Sequence, residues 1–277
     1  MALASLVAGQ FEEEADFQRR FGGLARLYGP LGAQAIARAR VVVVGIGGVG
    51  SWAAEALARS GVARLTLIDL DHIAESNVNR QIHALSATLG QAKVQAMRER
   101  IAQIHPGCQV DAIEEFVDAD NWPALADLAP RLDAPLAIID ACDQVRAKVA
   151  MAAWAMAKGV PLVSVGAAGG KRHAHQVELG DLAEVTHDPL LAQLRYQLRK
   201  HHGASRVKQM GLPCVFSREP VVQPEQVCEG DVALPADGSL NCHGYGSTVA
   251  VTSTFGMCAA GWVLDAIANQ ASQKITL

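Results

Sequence analysis

The stretch VVVVGIGGVGSW, residues 41–52, constrains the fold more than any other part of the chain. Four consecutive valines suit a short central strand of a parallel sheet, buried on both faces. Gly45, Gly47 and Gly50 then complete the pattern G-x-G-x-x-G, with Gly48 as an additional glycine. A helical pattern opens immediately afterwards. Glycines in this setting let the backbone turn tightly and approach a phosphate, and the helix N-terminus supplies unpaired N–H groups and a partial positive charge. A nucleotide site is therefore expected here, and a redox cofactor fits as well as a consumable triphosphate.

The rest of the chain repeats the rhythm. Helical GVGSWAAEALARSG (48–61) ends at Gly61, a suitable C′ residue. Strand RLTLIDLD (64–71), helix GQAKVQAMRERIAQIHPG (90–107) and strands QVDAIEEFV (109–117) and PLAIIDACD (135–143) follow. Next come helix QVRAKVAMAAWAMAKGV (144–160) and strand PLVSVGAAGG (161–170). The alternation predicts an α/β fold, a Rossmann-like, doubly wound and mostly parallel sheet with helices on both faces. Beyond Gly170 the rhythm changes. HQVELGDL (175–182) reads as a strand, HDPLLAQLRYQLRKHH (187–202) as a helix with Asp188 as N-cap and Pro189 at N1, and PCVFSREPVV (213–222) as a strand. A Gly/Pro/Asn-rich loop over 223–247 leads to a last helix, 248–268. No repeat or linker divides the chain, so one domain over 1–277 is expected. Residues 1–15 would form a mobile tail, 20–170 the ATP-binding core, and 171–277 a substrate-facing extension with the last helix.

Composition narrows the setting. Half of the 277 residues are hydrophobic and 19% are charged, which allows a large core. With a net charge of −4 the chain is not basic as a whole, so any nucleic-acid contact needs a local patch. The six cysteines form no C-x-x-C pair, which argues against a zinc ribbon, and their sparseness argues against a disulfide scaffold. The start of the chain lacks a basic leader, so a reduced, cytoplasmic protein is expected. From Leu240 to Leu264 no charged residue occurs, a length that could span a bilayer. Asn241, His243, Ser247, Thr248, Thr252, Ser253 and Thr254 would need partners in lipid, so a buried helix is expected instead of membrane association.

The choice of nucleotide turns on DLDHIAESNVNRQIHALSATLGQAKVQ. Asp69, at the end of the second strand, can accept bonds from ribose hydroxyls, as it could with NAD. Asn77, Arg80, Gln81 and Lys93 follow. A dinucleotide's single pyrophosphate is already met by the helix terminus, whereas a triphosphate with a departing pyrophosphate calls for further cations. Asp140 and Asp143 end the fourth strand, at the edge where ligands bind in such sheets. A carboxylate facing a triphosphate calls for Mg²⁺ between them, and Asp143 is the expected ligand, with Asp140 in support. An NAD-dependent oxidoreductase and a non-catalytic nucleotide sensor are the competing classes.

GIGGVGS, LIDLDHIAESNVNRQ, GQAKV and DACD, in that order, resemble the ATP-binding motifs of the ubiquitin-activating-enzyme-like adenylyltransferases. The resemblance implies that Asp69 binds ribose, that Asn77, Arg80 and Lys93 bind phosphates, and that Asp143 orders Mg²⁺. QRRFGGLARLYG, NRQIHAL, GAAGG and DPLLAQLR…PCVFSREP are similar to the branch of that family that uses ATP to cyclise a threonylcarbamoyl side chain on the adenosine beside a tRNA anticodon. That branch implies tRNA as substrate, a homodimer and association with a cysteine desulfurase or sulfur-acceptor system. It implies no zinc and admits a monovalent cation. The alternative within the family is adenylation of the C-terminus of a ubiquitin-like sulfur carrier. Gly23 stands where relatives carry an arginine that reaches a neighbouring ATP, which leaves Arg20 and Arg26 as substitutes.

Three further features carry weaker signals. Cys214 and Cys242 are candidate nucleophiles but suit packing better. His173 and His175 lack matched metal partners. Arg195, Arg199, Lys200, Arg206 and Lys208 form the densest basic segment and the expected tRNA phosphate contact.

Overall fold

The computed structural model describes residues 17–126, 134–222 and 245–273. Among these, seven strands form one sheet: β1 (Arg40–Val44), β2 (Arg64–Ile68), β3 (Gln109–Ile113), β4 (Leu136–Asp140), β5 (Leu162–Val165), β6 (Val177–Asp181) and β7 (Pro213–Ser217). Their order is β3-β2-β1-β4-β5-β7-β6. All neighbours run parallel except β6, which pairs antiparallel with β7 at the edge. β1 pairs with both β2 and β4, so the strand order reverses there and opens a crevice at the C-terminal ends of the strands.

Besides a helical segment over residues 17–21, the α-helices among the described residues are α1 (Leu24–Arg38), α2 (Gly50–Arg59), α3 (Lys93–Ile104), α4 (Val145–Lys158), α5 (Pro189–His201) and α6 (Val249–Gln273). The valine run shows why the sheet is covered on both sides. Val41 and Val43 join a cluster with Leu57 of α2, Met97 of α3 and Phe255 of α6. Val42 and Val44 point the other way, to Met151 of α4 and Leu194 of α5. Alternation with period two thus feeds two cores. α5 begins as its sequence predicts: Asp188 Oδ1 accepts the Leu191 N–H at 2.9 Å, with Pro189 in the first turn.

Two differences from the sequence reading have physical reasons. α1 has no counterpart in the sequence pattern, because Gly29 and Pro30 interrupt it; Gly29 sits at φ +71° and kinks the helix. The strands stop earlier than their apolar runs, since the residues beyond them turn into the loops that line the crevice. After Gly170, β6 and β7 extend the same sheet and α6 packs between α1 and α2. The last helix is long and apolar enough to cross a membrane by length and composition. Yet Val251, Phe255, Ala259, Val263 and Ile267 are fully buried against the protein, as in a core helix. The expected tail over 1–15, the loop over 223–244 and Cys242 lie outside the described residues.

Candidate active site

A cavity of about 370 Å³ lies at the C-terminal ends of the strands. Its floor is the end of β4, and two walls rise on either side, one beyond β1 and β2, the other beyond β5 and β7. The first wall is the glycine loop. Gly45 has φ +85°, and a Cβ there would lie 2.7 Å from the Ala141 carbonyl oxygen, so the turn lies directly against the floor. A Cβ on Gly50 would fall on the Gly45 carbonyl, which is why α2 can start immediately over the turn.

Asp69 ties this wall together. Its Oδ2 accepts the Ile46 N–H at 2.6 Å and its Oδ1 the Asp71 N–H at 2.9 Å. Burial raises its pKa, opposed by Lys93 and by those two N–H groups. Lys93, 8% exposed at its side chain, lies 4.0 Å from Asp69 and 2.6 Å from Asp71. The Arg80 guanidinium donates to the Ser76 carbonyl at 2.6 Å and to Asn79 Oδ1 at 2.9 Å, while its own carbonyl accepts from Trp52 Nε1. Asn77 Oδ1 accepts the Ala74 N–H, and Gln81 is buried with Oε1 unpartnered. Asn77, Arg80, Gln81 and Lys93 all line the cavity beside Gly45, Gly47, Gly48 and Asp69. Gly50 lies behind them as the start of α2.

On the floor, the two aspartates predicted together part company. Asp143 is exposed, lines the cavity and makes no ion pair among the described residues. Asp140 is fully buried beneath it, 3.1 Å from Lys148 Nζ, and accepts from Ser164 Oγ at 2.7 Å. Lys148 also donates to the Val165 carbonyl at 2.7 Å, so this ammonium joins the ends of β4 and β5. Burial works against the Lys148 charge, but Asp140 carries its pKa above the ordinary lysine value. Asp140 therefore supports the floor through Lys148 instead of facing a ligand. The Cys142 thiol donates to Asp140 Oδ1, and burial together with that carboxylate pushes its pKa well up.

The second wall comprises residues 166–169, the start of α5, Val221 and Tyr245. Asp188 serves two segments at once, capping α5 with Oδ1 and accepting the Ala167 N–H with Oδ2 at 2.8 Å. Nothing in the sequence marks it beyond its cap role.

Other expected residues fall elsewhere. Arg195 donates to the Leu182 and Val185 carbonyls, and Arg199 to the Ser205 carbonyl, so both are half-engaged in holding loops. Lys200, Arg206 and Lys208 are exposed. Pro189 lines the cavity, so Lys200 lies about 16 Å further along the α5 axis at 1.5 Å per residue. His173 binds Glu219 at 2.9 Å in a turn, not on a strand. Cys214 is buried, and burial raises its thiol; Cys108 is pushed up to about 12 in the same way. Arg20 donates to the Ile104 carbonyl, and Arg26 is exposed. Among the described residues no group of three or more His, Cys, Asp or Glu could hold a metal. Sequence reasoning misses Asp71, Lys148 and Lys171. Asp71 alone has a visible signal, as the second carboxylate of DLD.

The ThiF family matches residues 22–276. The tRNA threonylcarbamoyladenosine dehydratase of Escherichia coli is 41% identical over 264 residues, 93% of this chain and 97% of that protein. A crystal structure of that dehydratase in complex with ATP superposes with a TM-score of 0.79 at 40% identity, covering 92% of this chain and 96% of the other. The molybdopterin-synthase adenylyltransferase of E. coli is 36% identical over 133 residues, 48% of this chain and 51% of that protein.

Proposed function

The chain belongs to the ThiF family, and from that premise we propose that it dehydrates threonylcarbamoyladenosine in tRNA, next to the anticodon, by ATP-dependent activation of the threonyl carboxylate. One observation carries this reading. The likeness to the dehydratase runs through 93% of the chain and so takes in both walls of the cavity, whereas the likeness to the molybdopterin-synthase adenylyltransferase covers 48%. Adenylation of a sulfur carrier's C-terminus is correspondingly the weaker reading.

The chemistry follows from what a carboxylate lacks, namely a leaving group. Transfer of AMP from ATP to the threonyl carboxylate gives an acyl-adenylate and releases pyrophosphate. The carbamoyl group of the same side chain then attacks the acyl carbon, gives up a proton and expels AMP as a five-membered ring closes. Both reacting groups belong to the substrate, so proximity supplies much of the rate and no covalent enzyme intermediate is required. Cysteine chemistry is therefore dispensable for ring closure, in keeping with the raised thiol pKa values of Cys108, Cys142, Cys214 and Cys258.

The residues have capacity for these roles. Asp69 engages one N–H per oxygen, and a carboxylate oxygen accepts two, which leaves acceptance from ribose hydroxyls. Arg80 has five N–H donors and Lys93 three, more than their present partners use, so both can meet phosphates. Asn77 has used only its oxygen, and its amide can donate. Mg²⁺ suits Asp143, because that ion is typically held by one or two carboxylates plus substrate phosphates and needs no all-protein cage. Held there, it would neutralise charge developing on the phosphates. Exposed Lys200, Arg206 and Lys208, with the accessible parts of Arg195 and Arg199, offer contact to phosphates of the anticodon stem, at a distance from the reacting loop. Exposed Leu27 and Leu31 on α1 and Met257 on α6 support a homodimer, and a cytoplasmic setting completes the reading.

The test is direct. Purified protein, ATP and Mg²⁺ are incubated with tRNA carrying threonylcarbamoyladenosine, and the nucleosides are weighed by mass spectrometry. Loss of one water from that nucleoside, dependent on ATP, is expected. Unchanged nucleoside, with pyrophosphate exchange seen only when a small Gly-Gly-ended protein is added, would transfer the reading to the sulfur-carrier class.

A further inference from the structure

Lys148 and Lys171 are the largest fully buried side chains among the described residues. Lys148 braces the floor. Lys171, 2% exposed, braces the second wall. Its Nζ donates to the Glu219 carbonyl at 2.7 Å, the Ser217 carbonyl at 3.1 Å and the His187 carbonyl at 3.3 Å. These belong to the end of β7, the turn after it, and the residue before the α5 cap. His187 is held at φ +59°, a region that non-glycine residues rarely adopt.

The neighbouring backbone extends the brace. The Gly170 N–H donates to the Gly246 carbonyl and its own carbonyl accepts the Val222 N–H, both at 2.8 Å. The Arg172 and His173 N–H groups donate to the Glu219 carboxylate at 3.0 and 2.9 Å. Cavity-lining Gly169, Val221 and Tyr245 each adjoin a residue in this set, and cavity-lining Pro189 lies two residues from His187. The bonds that hold the glycine loop, Asp69 and Lys93 involve none of them. Removing the ammonium would leave three carbonyls short of a donor and free three segments of one wall only.

We propose that Lys171 is a positioning residue that keeps the second wall closed around the activated carboxyl, so that the carboxyl meets the carbamoyl group and not water. The inference rests on the dehydratase reading. The acyl-adenylate has two fates. Attack by the carbamoyl group forms the ring bond, breaks the acyl–oxygen bond to AMP and releases one proton. Attack by water breaks the same bond, releases AMP and a proton, and returns the open carboxylate. Both consume one ATP, and only the first makes product.

The readout is therefore cyclic nucleoside formed per ATP consumed, with tRNA saturating. A loosened wall lowers this ratio, whereas a smaller folded fraction lowers product and ATP use together and leaves it unchanged. For Lys171→Met the ratio should fall by about tenfold or more, since a 1 Å misplacement of reacting groups can cost on the order of 10²-fold in rate. ATP affinity by calorimetry should match the wild type. Lys171→Gln, which keeps a donor without the charge, should fall between, and it serves if the methionine variant does not fold. Hydrogen exchange should quicken in residues 166–173 and 187–190 and stay unchanged in 45–50. An unchanged ratio in the folded variants would overturn the inference. Absence of any cyclic product from the wild type would instead overturn the dehydratase reading itself.

Discussion

The two walls of the cavity are built on different plans. The glycine-loop wall is local: residues 45–50 turn over the end of β1, and Asp69, Asp71 and Lys93 brace them from the adjacent strand and helix. Its polar side chains face the cavity and retain spare donors. The second wall is assembled from distant pieces: residues 166–173, 187–190 and 217–222 meet through the buried charges of Lys171, Asp188 and Glu219, and 245–246 joins by a backbone bond from Gly170 to Gly246. Those charges face backbone and not ligand. On the proposed reading the first wall would touch the triphosphate, and the second holds a shape. A constant reagent suits the former, and a specific acceptor suits the latter.

The largest effects should come from the first wall and the floor. Arg80→Ala and Asp143→Ala are each expected to lower kcat by ~10²–10³, or about 2.7–4 kcal/mol, the first by removing a cation beside the departing pyrophosphate and the second by removing the proposed Mg²⁺ ligand. The melting temperature should hardly move. Steady-state assays on folded protein check this, and near-normal turnover in Asp143→Ala would overturn the proposed metal role.

His83, buried behind Lys93 with neither ring nitrogen partnered, sharpens the contrast through pH. Burial first, then Lys93 and Arg100, lower its pKa from 6.5 to about 4. The unfolded chain takes up this proton near 6.5 and the folded chain only near 4. Between those values the unfolded state binds more protons, so stability falls as pH falls through that window, by up to ~3 kcal/mol. Urea unfolding at several pH values should show this slope in the wild type and a flatter one in His83→Leu. Equal slopes would show that another group titrates.

Asp188→Ala probes the second wall. Loss of the helix cap should cost about 1–2 kcal/mol, raise the KM for tRNA and leave ATP affinity alone. A weakened ATP affinity would mean that the walls are coupled. The smallest effect belongs to the basic segment. Charge reversal at Lys200 and Arg206 should raise the KM for tRNA a few-fold. It should also flatten the salt dependence, by roughly one unit of log–log slope for each phosphate that is no longer neutralised. An unaltered slope would move the tRNA surface elsewhere.

The same division explains what the sequence makes legible. Gly45, Gly47, Asp69, Arg80 and Lys93 can be found because they fall in short motifs within fifty residues of chain that all reach one cavity. The α5 cap can be found because Asp-Pro before an apolar helix has a local meaning. Lys171 leaves no trace, since a lysine after two glycines reads as a solvated charge until the carbonyls of residues 187, 217 and 219 are brought around it. Asp140 reads as a companion of Asp143 at the ligand for the same reason: only the fold reveals that Lys148 claims it. Local chemistry is written in short motifs, whereas buried pairing depends on chain segments that sequence order keeps far apart.

The strand order has one more consequence. β5 and β7 are neighbours, in register at Ser164–Cys214 and Val165–Val215, although β6 and α5 intervene in the chain. Residues 166–212 therefore depart after β5, supply the edge strand β6 and α5, and return beside their point of departure, like a cassette clipped into the rim of the sheet. Such an excursion can be exchanged between relatives without re-threading the central strands. Lys171 and Asp188 travel inside it, while the carbonyls of Ser217 and Glu219 stay with the host. A chimaera that swaps the cassette should keep its clasp only if the incoming piece brings a lysine of the same reach.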